Sequence, residues 1–121
     1  MCSPLAFLMA ALVGASTTPK FDTAKIEQLT GAKGSLNEKE GVFKVSYPRT
    51  DLQVTAAGAH LTPPMGLTAW AAFTKVGSHS HTAVMGDMVL TEDQVNPAMS
   101  AALDNGLTVT ALHNQDRKSV V

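Results

Sequence analysis

The sequence has little of the chemistry that most binding and catalytic sites use: one cysteine, one tryptophan, one tyrosine and four histidines among 121 residues. A single cysteine excludes an intrachain disulfide framework and a cysteine-rich zinc finger. Nine lysines and arginines nearly balance ten aspartates and glutamates, so the net charge of -1 argues against a nucleic-acid-binding module. No apolar run reaches the roughly 20 residues that a transmembrane helix needs. The remaining composition, 45% hydrophobic and 16% charged, is typical of one small globular domain.

The longest uncharged apolar run lies near the N-terminus, over residues 5–13. Its length fits the apolar region of a secretory signal peptide, and Ala15 follows where a signal peptidase needs a small residue. We therefore predict a signal peptide over 1–15, a polar linker over 16–20 and a single domain over 21–121, in a periplasmic or secreted protein. Because no basic residue precedes the run, a start further upstream and a buried hydrophobic helix remain as alternatives.

Two segments carry helix signals. Residues 22–30 form one predicted helix, which Asp22 caps and in which Ile26 and Leu29 face inward. Thr91-Glu92-Asp93-Gln94 has the spacing of a capping box, in which the first and last side chains satisfy each other's free backbone donors. The second helix contains Pro97, and we predict a kinked but continuous helix in preference to a new start at the proline.

Strand signals occur in five segments, which alternate in polarity or are rich in β-branched and aromatic residues. Two of them, 68–76 and 83–90, are apolar on both faces, which predicts interior strands. The glycine-rich stretch 31–41 predicts a loop. The order strand, helix, strand after residue 83 indicates a βαβ unit at the C-terminal end. We therefore expect an α+β fold with two helices and a small mixed sheet of about five strands, namely 42–47, 51–57, 68–76, 83–90 and 107–112.

No serine-hydrolase elbow, phosphate-binding loop or His-Glu-x-x-His zinc motif occurs in the sequence. The histidines are therefore the main candidate site. In an extended segment, His79 and His81 point the same way with Cα atoms roughly 6.6 Å apart. Both imidazoles can then bind one divalent metal ion such as Zn²⁺ or Cu²⁺. His113 completes this site if the last predicted strand ends nearby. The competing interpretation is a solvated polar turn for the pair and a polar strand end for His113.

Asp87 is the candidate catalytic group because it stands among apolar residues. A carboxylate buried there needs a partner or a raised pKa, and Arg49 is the long-range candidate for a structural ion pair. A metal-assisted hydrolase with Asp87 as base or ligand is therefore the alternative to a non-enzymatic binding domain. Along a straight strand Asp87 lies about 20 Å from His81, so both would share a site only after a sharp bend.

Four segments together resemble one family. They resemble, in order along the chain, motifs of the LppY/LpqO family of bacterial exported proteins, a domain of unknown function. The resemblance runs from about Phe21 to Asn114. It implies export and supplies no activity. The segments are GVFKVSYPR (41–49), MGLTAWAAF (65–73), VMGDMVLTED (84–93) and VTALHN (109–114).

The resemblance also implies a longer domain. Family members continue from the equivalent of His113 and Asn114 into a second histidine, an aromatic-rich stretch and a further strand, whereas Gln115 stands at the second histidine's place here. This implies a truncated copy whose histidine site is half missing and whose last strand lacks a covering neighbour. We therefore expect self-association through an uncovered edge strand. A non-functional remnant is the third interpretation, beside the binding domain and the hydrolase.

Overall fold

The structure, a computed structural model, describes residues 22–77 and 81–114. The predicted signal peptide, the linker and His79 lie outside the described residues. Two α-helices and two antiparallel sheets confirm the predicted α+β class. The elements are α1 (Thr23–Thr30), β1 (Gly34–Asn37), β2 (Val42–Pro48), β3 (Thr55–Ala56), β4 (Ala59–His60), a 3-10 helix (Pro63–Met65), β5 (Thr68–Val76), β6 (His81–Asp87) and α2 (Glu92–Asp104).

The main sheet has the strand order β1-β2-β5-β6, and each neighbouring pair is antiparallel. The predicted mixed sheet and its βαβ unit are therefore wrong. β6 is an antiparallel neighbour of β5, and residues 107–112 form no strand after α2. An alternating segment becomes a strand only when it finds an edge to pair with and a surface to cover. Leu107 and Leu112 find neither here, since 49% and 64% of their surfaces stay exposed.

The glycine-rich stretch predicted as a loop contains β1, which pairs with β2. Glycine is needed at Gly34 because the Phe43 ring lies over it: an added Cβ would come within 2.1 Å of the ring carbon Cζ. The second predicted strand, 51–57, shrinks to the two residues of β3. It turns back into β4 through Gly58, whose φ of +80° suits a residue without a side chain.

The core lies on one face of the main sheet, which we call the inner face. Phe43, Phe73 and Val84 occupy aligned positions on this face of β2, β5 and β6. The Tyr47 hydroxyl donates a hydrogen bond to the Thr30 carbonyl and so ties α1 to the same face. The buried hydrophobic residues of the described chain are Phe43, Val45, Leu67 and Ala69.

Both helices begin at the positions that their capping residues, Asp22 and Thr91, indicate in the sequence. The Asp22 carboxylate accepts the Lys25 N–H at 3.0 Å in α1, although Leu29 is 76% exposed and does not face inward. In α2 the Gln94 side chain accepts the Thr91 N–H at 3.1 Å, which confirms the capping box. α2 also runs continuously through Pro97, as predicted.

Candidate functional site

His81, one of the predicted histidine pair, is the first residue of β6. Val76 pairs with His81 across the two strands, and Gly77 starts the turn with a φ of +66°. His81 is exposed and belongs to the face opposite the core, which we call the outer face. His79 lies outside the described residues.

His113 lies in the irregular segment that follows α2. It is exposed, and its ring Nδ1 lies 3.4 Å from the carbonyl oxygen of Asn114. Because residues 107–112 form no strand, sheet pairing does not bring this histidine toward the β5–β6 turn. Within residues 22–77 and 81–114, no three side chains of His, Cys, Asp or Glu gather closely enough to hold a metal ion. Since this range omits His79, the three-histidine site stays a prediction.

Asp87 ends β6 on the outer face, directly across from Trp70. Its expected burial is wrong, as is the interior position predicted for its strand. Among the residues that the structure describes, β6 has one strand neighbour, β5, and all seven of its residues are exposed. Apolar character on both faces was therefore a misleading signal of burial. Six residue steps of extended strand, about 20 Å, separate Asp87 from His81, so the two do not share a site.

Arg49 pairs with Asp51 instead of the predicted Asp87. Its Nε and Nη2 donate to the two carboxylate oxygens of Asp51 at 2.9 and 2.8 Å. This contact lowers the pKa of the Asp51 carboxyl and raises the pKa of the guanidinium. The remaining nitrogen, Nη1, donates to the Val89 carbonyl and, at 3.2 Å, to Gln94 Oε1. Arg49 thus connects the end of β2 to the start of α2, which is a structural role.

Sequence reasoning missed an aromatic contact on the outer face. The Lys44 ammonium lies 4.4 Å from the centre of the Trp70 ring, within the range of a cation–π interaction. The signal was present in the alternation of β2, which puts Lys44 and Ser46 on the face opposite its buried residues. Trp70 lies across from Ser46 on one side and from Asp87 on the other. This end of the outer face therefore combines an aromatic ring with charges of both signs.

A second charged group lies beside α1, at a shallow and open depression. Glu27 accepts hydrogen bonds there from the Gly34 N–H at 2.8 Å and from the Lys33 ammonium at 2.9 Å. The backbone hydrogen bond first, and then the lysine, lower the pKa of the Glu27 carboxyl. Both carboxylate oxygens of Glu27 accept hydrogen bonds, and the bond from the Gly34 N–H ties α1 to β1.

Most of the chain matches one known family. A family model described as Domain of Unknown Function (DUF1259), under the name DUF1529, matches residues 24–118. The chain belongs to this family. Neither the comparison with curated proteins nor that with solved structures gave a match. In the described part of the chain, neither α1 nor α2 has the length and apolar character needed to cross a bilayer.

Proposed function

We propose that the protein is an exported, non-enzymatic domain that binds a divalent metal ion through His79 and His81, with His113 as a third ligand. The observation that carries this proposal is the position of His81. It opens β6 at an exposed position, and pairing with Val76 fixes its backbone. Imidazole suits Zn²⁺ and Cu²⁺, and an ion can reach this side chain from solvent.

The basic residue of β5 beside this position, Lys75, belongs to the opposite face of the sheet from His81. The neighbouring cationic residue, Lys75, pairs with Thr82, and its ammonium donates to the threonine hydroxyl at 3.1 Å. Successive residues of a strand alternate between faces, so Lys75 and Thr82 belong to the inner face while His81 belongs to the outer one. The lysine side chain therefore leaves the strand on the side away from the imidazole.

Equilibrium dialysis of the full chain against Zn²⁺ and then Cu²⁺ tests the proposal. We expect stoichiometric binding by the wild type and loss of binding in the double variant His79→Ala, His81→Ala. His113→Ala should bind more weakly, because it removes one of three ligands. The matched control is His60→Ala, which removes an exposed histidine on β4 and should bind like the wild type. Absence of bound metal in the wild type, or equal binding by the double variant, would contradict the proposal.

Export and the LppY/LpqO assignment belong to the same proposal. The support for export is the apolar run over 5–13 followed by Ala15. The support for the LppY/LpqO assignment is the order of its four motif segments, all of which fall inside the matched range 24–118. The metal test also bears on the remnant hypothesis, since a remnant would bind no ion.

A further inference from the structure

Within the part of the chain that the structure describes, β6 is an edge strand of the main sheet. It has β5 on one side, and all seven of its residues are exposed. Val84 is 45% exposed on the inner face, and Met85 is 73% exposed on the outer face. An edge strand offers a row of unpaired backbone N–H and C=O groups, and natural proteins usually protect such an edge with charge, shortness or cover. β6 is long and apolar in its middle, so it has the character of a pairing surface.

The other edge of the sheet, β1, is protected in the usual way. It has only four residues, and charged residues flank it directly on both sides, at Lys33 and Glu38. β6 has no charged residue between its two end positions, His81 and Asp87. The difference between the two edges favours β6 as the one that pairs.

We propose that β6 pairs antiparallel with β6 of a second copy of the chain, about a two-fold axis that passes through Val84. The pairing joins two four-stranded sheets into one continuous sheet of eight strands. A second copy presents the same surface in the reverse direction, so contacts at one end of the strand recur at the other. The register places His81 opposite Asp87 of the second copy, Thr82 opposite Gly86, Ala83 opposite Met85, and Val84 opposite Val84.

The residues at the two ends of β6 favour a second copy of the chain as the strand that pairs with this edge. His81 and Asp87 both lie on the outer face, and antiparallel pairing brings each beside the other residue type in the second copy. An imidazole N–H can donate to a carboxylate, so each end of the pairing gains a complementary polar contact. Between the ends, the large side chain of Met85 meets the small one of Ala83.

Two conditions place the two-fold axis at Val84. Paired residues must lie on the same face of the sheet, and the pairing must include as much of β6 as it can. A shift by one residue would turn the outer face of one copy to the inner side of the other. Shifts by two centre the axis on Ala83 or Met85. Each of these leaves two residues of β6 outside the pairing and separates His81 from Asp87. Only an axis at Val84 pairs all seven residues of β6 and also brings His81 of each copy opposite Asp87 of the other.

Cross-linking tests this register. The full chain carrying Cys2→Ser, so that an introduced thiol stands alone, receives Val84→Cys and is treated with a short bismaleimide in the presence of EDTA. We expect a covalent dimer, because residue 84 meets its own copy at the axis. The matched control is Leu36→Cys, which is 46% exposed on the edge strand β1 and should give little dimer. Equal yields from both variants, or no dimer from Val84→Cys, would overturn the proposal.

Sedimentation equilibrium in EDTA measures the same contact without a cross-linker. Val84→Lys puts two ammonium groups together at the axis and should weaken dimerisation at least about tenfold, while Leu36→Lys should leave it nearly unchanged. His81→Asp opposes two carboxylates and should also weaken the dimer. The exchange His81→Asp with Asp87→His restores opposite partners and should recover it.

Two further outcomes would overturn the proposal. One is a wild-type chain that stays monomeric over the whole concentration range. The other is a monomer in which the β6 backbone amides that point away from β5 resist hydrogen exchange, since residues 107–112 or another part of the same chain would then occupy the edge. EDTA keeps these outcomes separate from metal binding, so this inference and the proposed function can fail independently.

Discussion

Arg49 shows how one side chain can join parts of the chain that are distant in sequence. Its guanidinium donates to the Asp51 carboxylate, to the Val89 carbonyl and to the Gln94 side chain. The five N–H groups of arginine lie in one plane and can serve several acceptors at once, which a lysine ammonium on a flexible stem cannot reproduce. The Arg49 side chain is only 16% exposed, so its hydrogen bonds have little competition from water.

We predict that Arg49→Lys lowers the free energy of unfolding by about 1–3 kcal/mol, because the contacts to Val89 and Gln94 lose their donors. Urea unfolding followed by circular dichroism measures the change. The matched control is Asp51→Asn, which affects a carboxylate that is 64% exposed and should cost under about 1 kcal/mol. An equal loss in both variants would mean that the local pair with Asp51, and not the link to α2, carries the stability.

At the scale of the elements, local signals were reliable and pairing signals were not. Both helix starts followed from their caps at Asp22 and Thr91, because a cap depends on residues within one turn. Residues 107–112 alternate in polarity like a strand, but strand formation needs a partner that local sequence does not specify. β1 was missed for the opposite reason. Its Gly34 indicates flexibility when taken alone, and its role becomes visible only beside Phe43.

Gly34 provides the test of this explanation. We predict that Gly34→Ala destabilises the domain by about 1–3 kcal/mol, because the added Cβ enters the space of the Phe43 ring. The effect should shrink when Phe43→Leu is added, since the smaller side chain leaves room for the methyl group. Thermal unfolding of the two single variants and the double variant gives the coupling. Strictly additive losses would show that backbone freedom, not the ring, requires glycine at this position.

The candidate site was predictable in part, for the same physical reasons. The extended backbone assumed for His81 is present, because His81 is the first residue of β6. It failed for Asp87, whose apolar neighbours in sequence suggested burial. Apolar residues on both faces of a strand indicate either an interior position or an edge that another strand covers. In the described chain β6 lies at an edge of the sheet, and its Val84 and Met85 are exposed.

At the scale of the whole molecule, the small core and the open edge fit together. Within residues 22–77 and 81–114, four hydrophobic residues are buried and several large apolar side chains stay exposed. Hydrophobic burial is the main favourable term in folding and in most protein association. The apolar surface that stays exposed here can therefore be buried by association. Pairing along β6 would cover part of it. The apolar leader 5–13, in contrast, is predicted to leave the molecule after export.

We predict that the N-terminal apolar segment directs export and is then cleaved off. In a Gram-negative host, we expect the periplasmic protein to begin at Ser16, with a mass lower by that of residues 1–15. Leu8→Arg should hold the precursor in the cytoplasm, because a charge in a short apolar segment opposes its insertion into the membrane. Cell fractionation with mass spectrometry measures both. Leu29→Arg, which alters an exposed leucine of α1, should be exported normally. Periplasmic protein that retains residues 1–15 would contradict cleavage, and equal export of Leu8→Arg would show that the apolar run is not the signal.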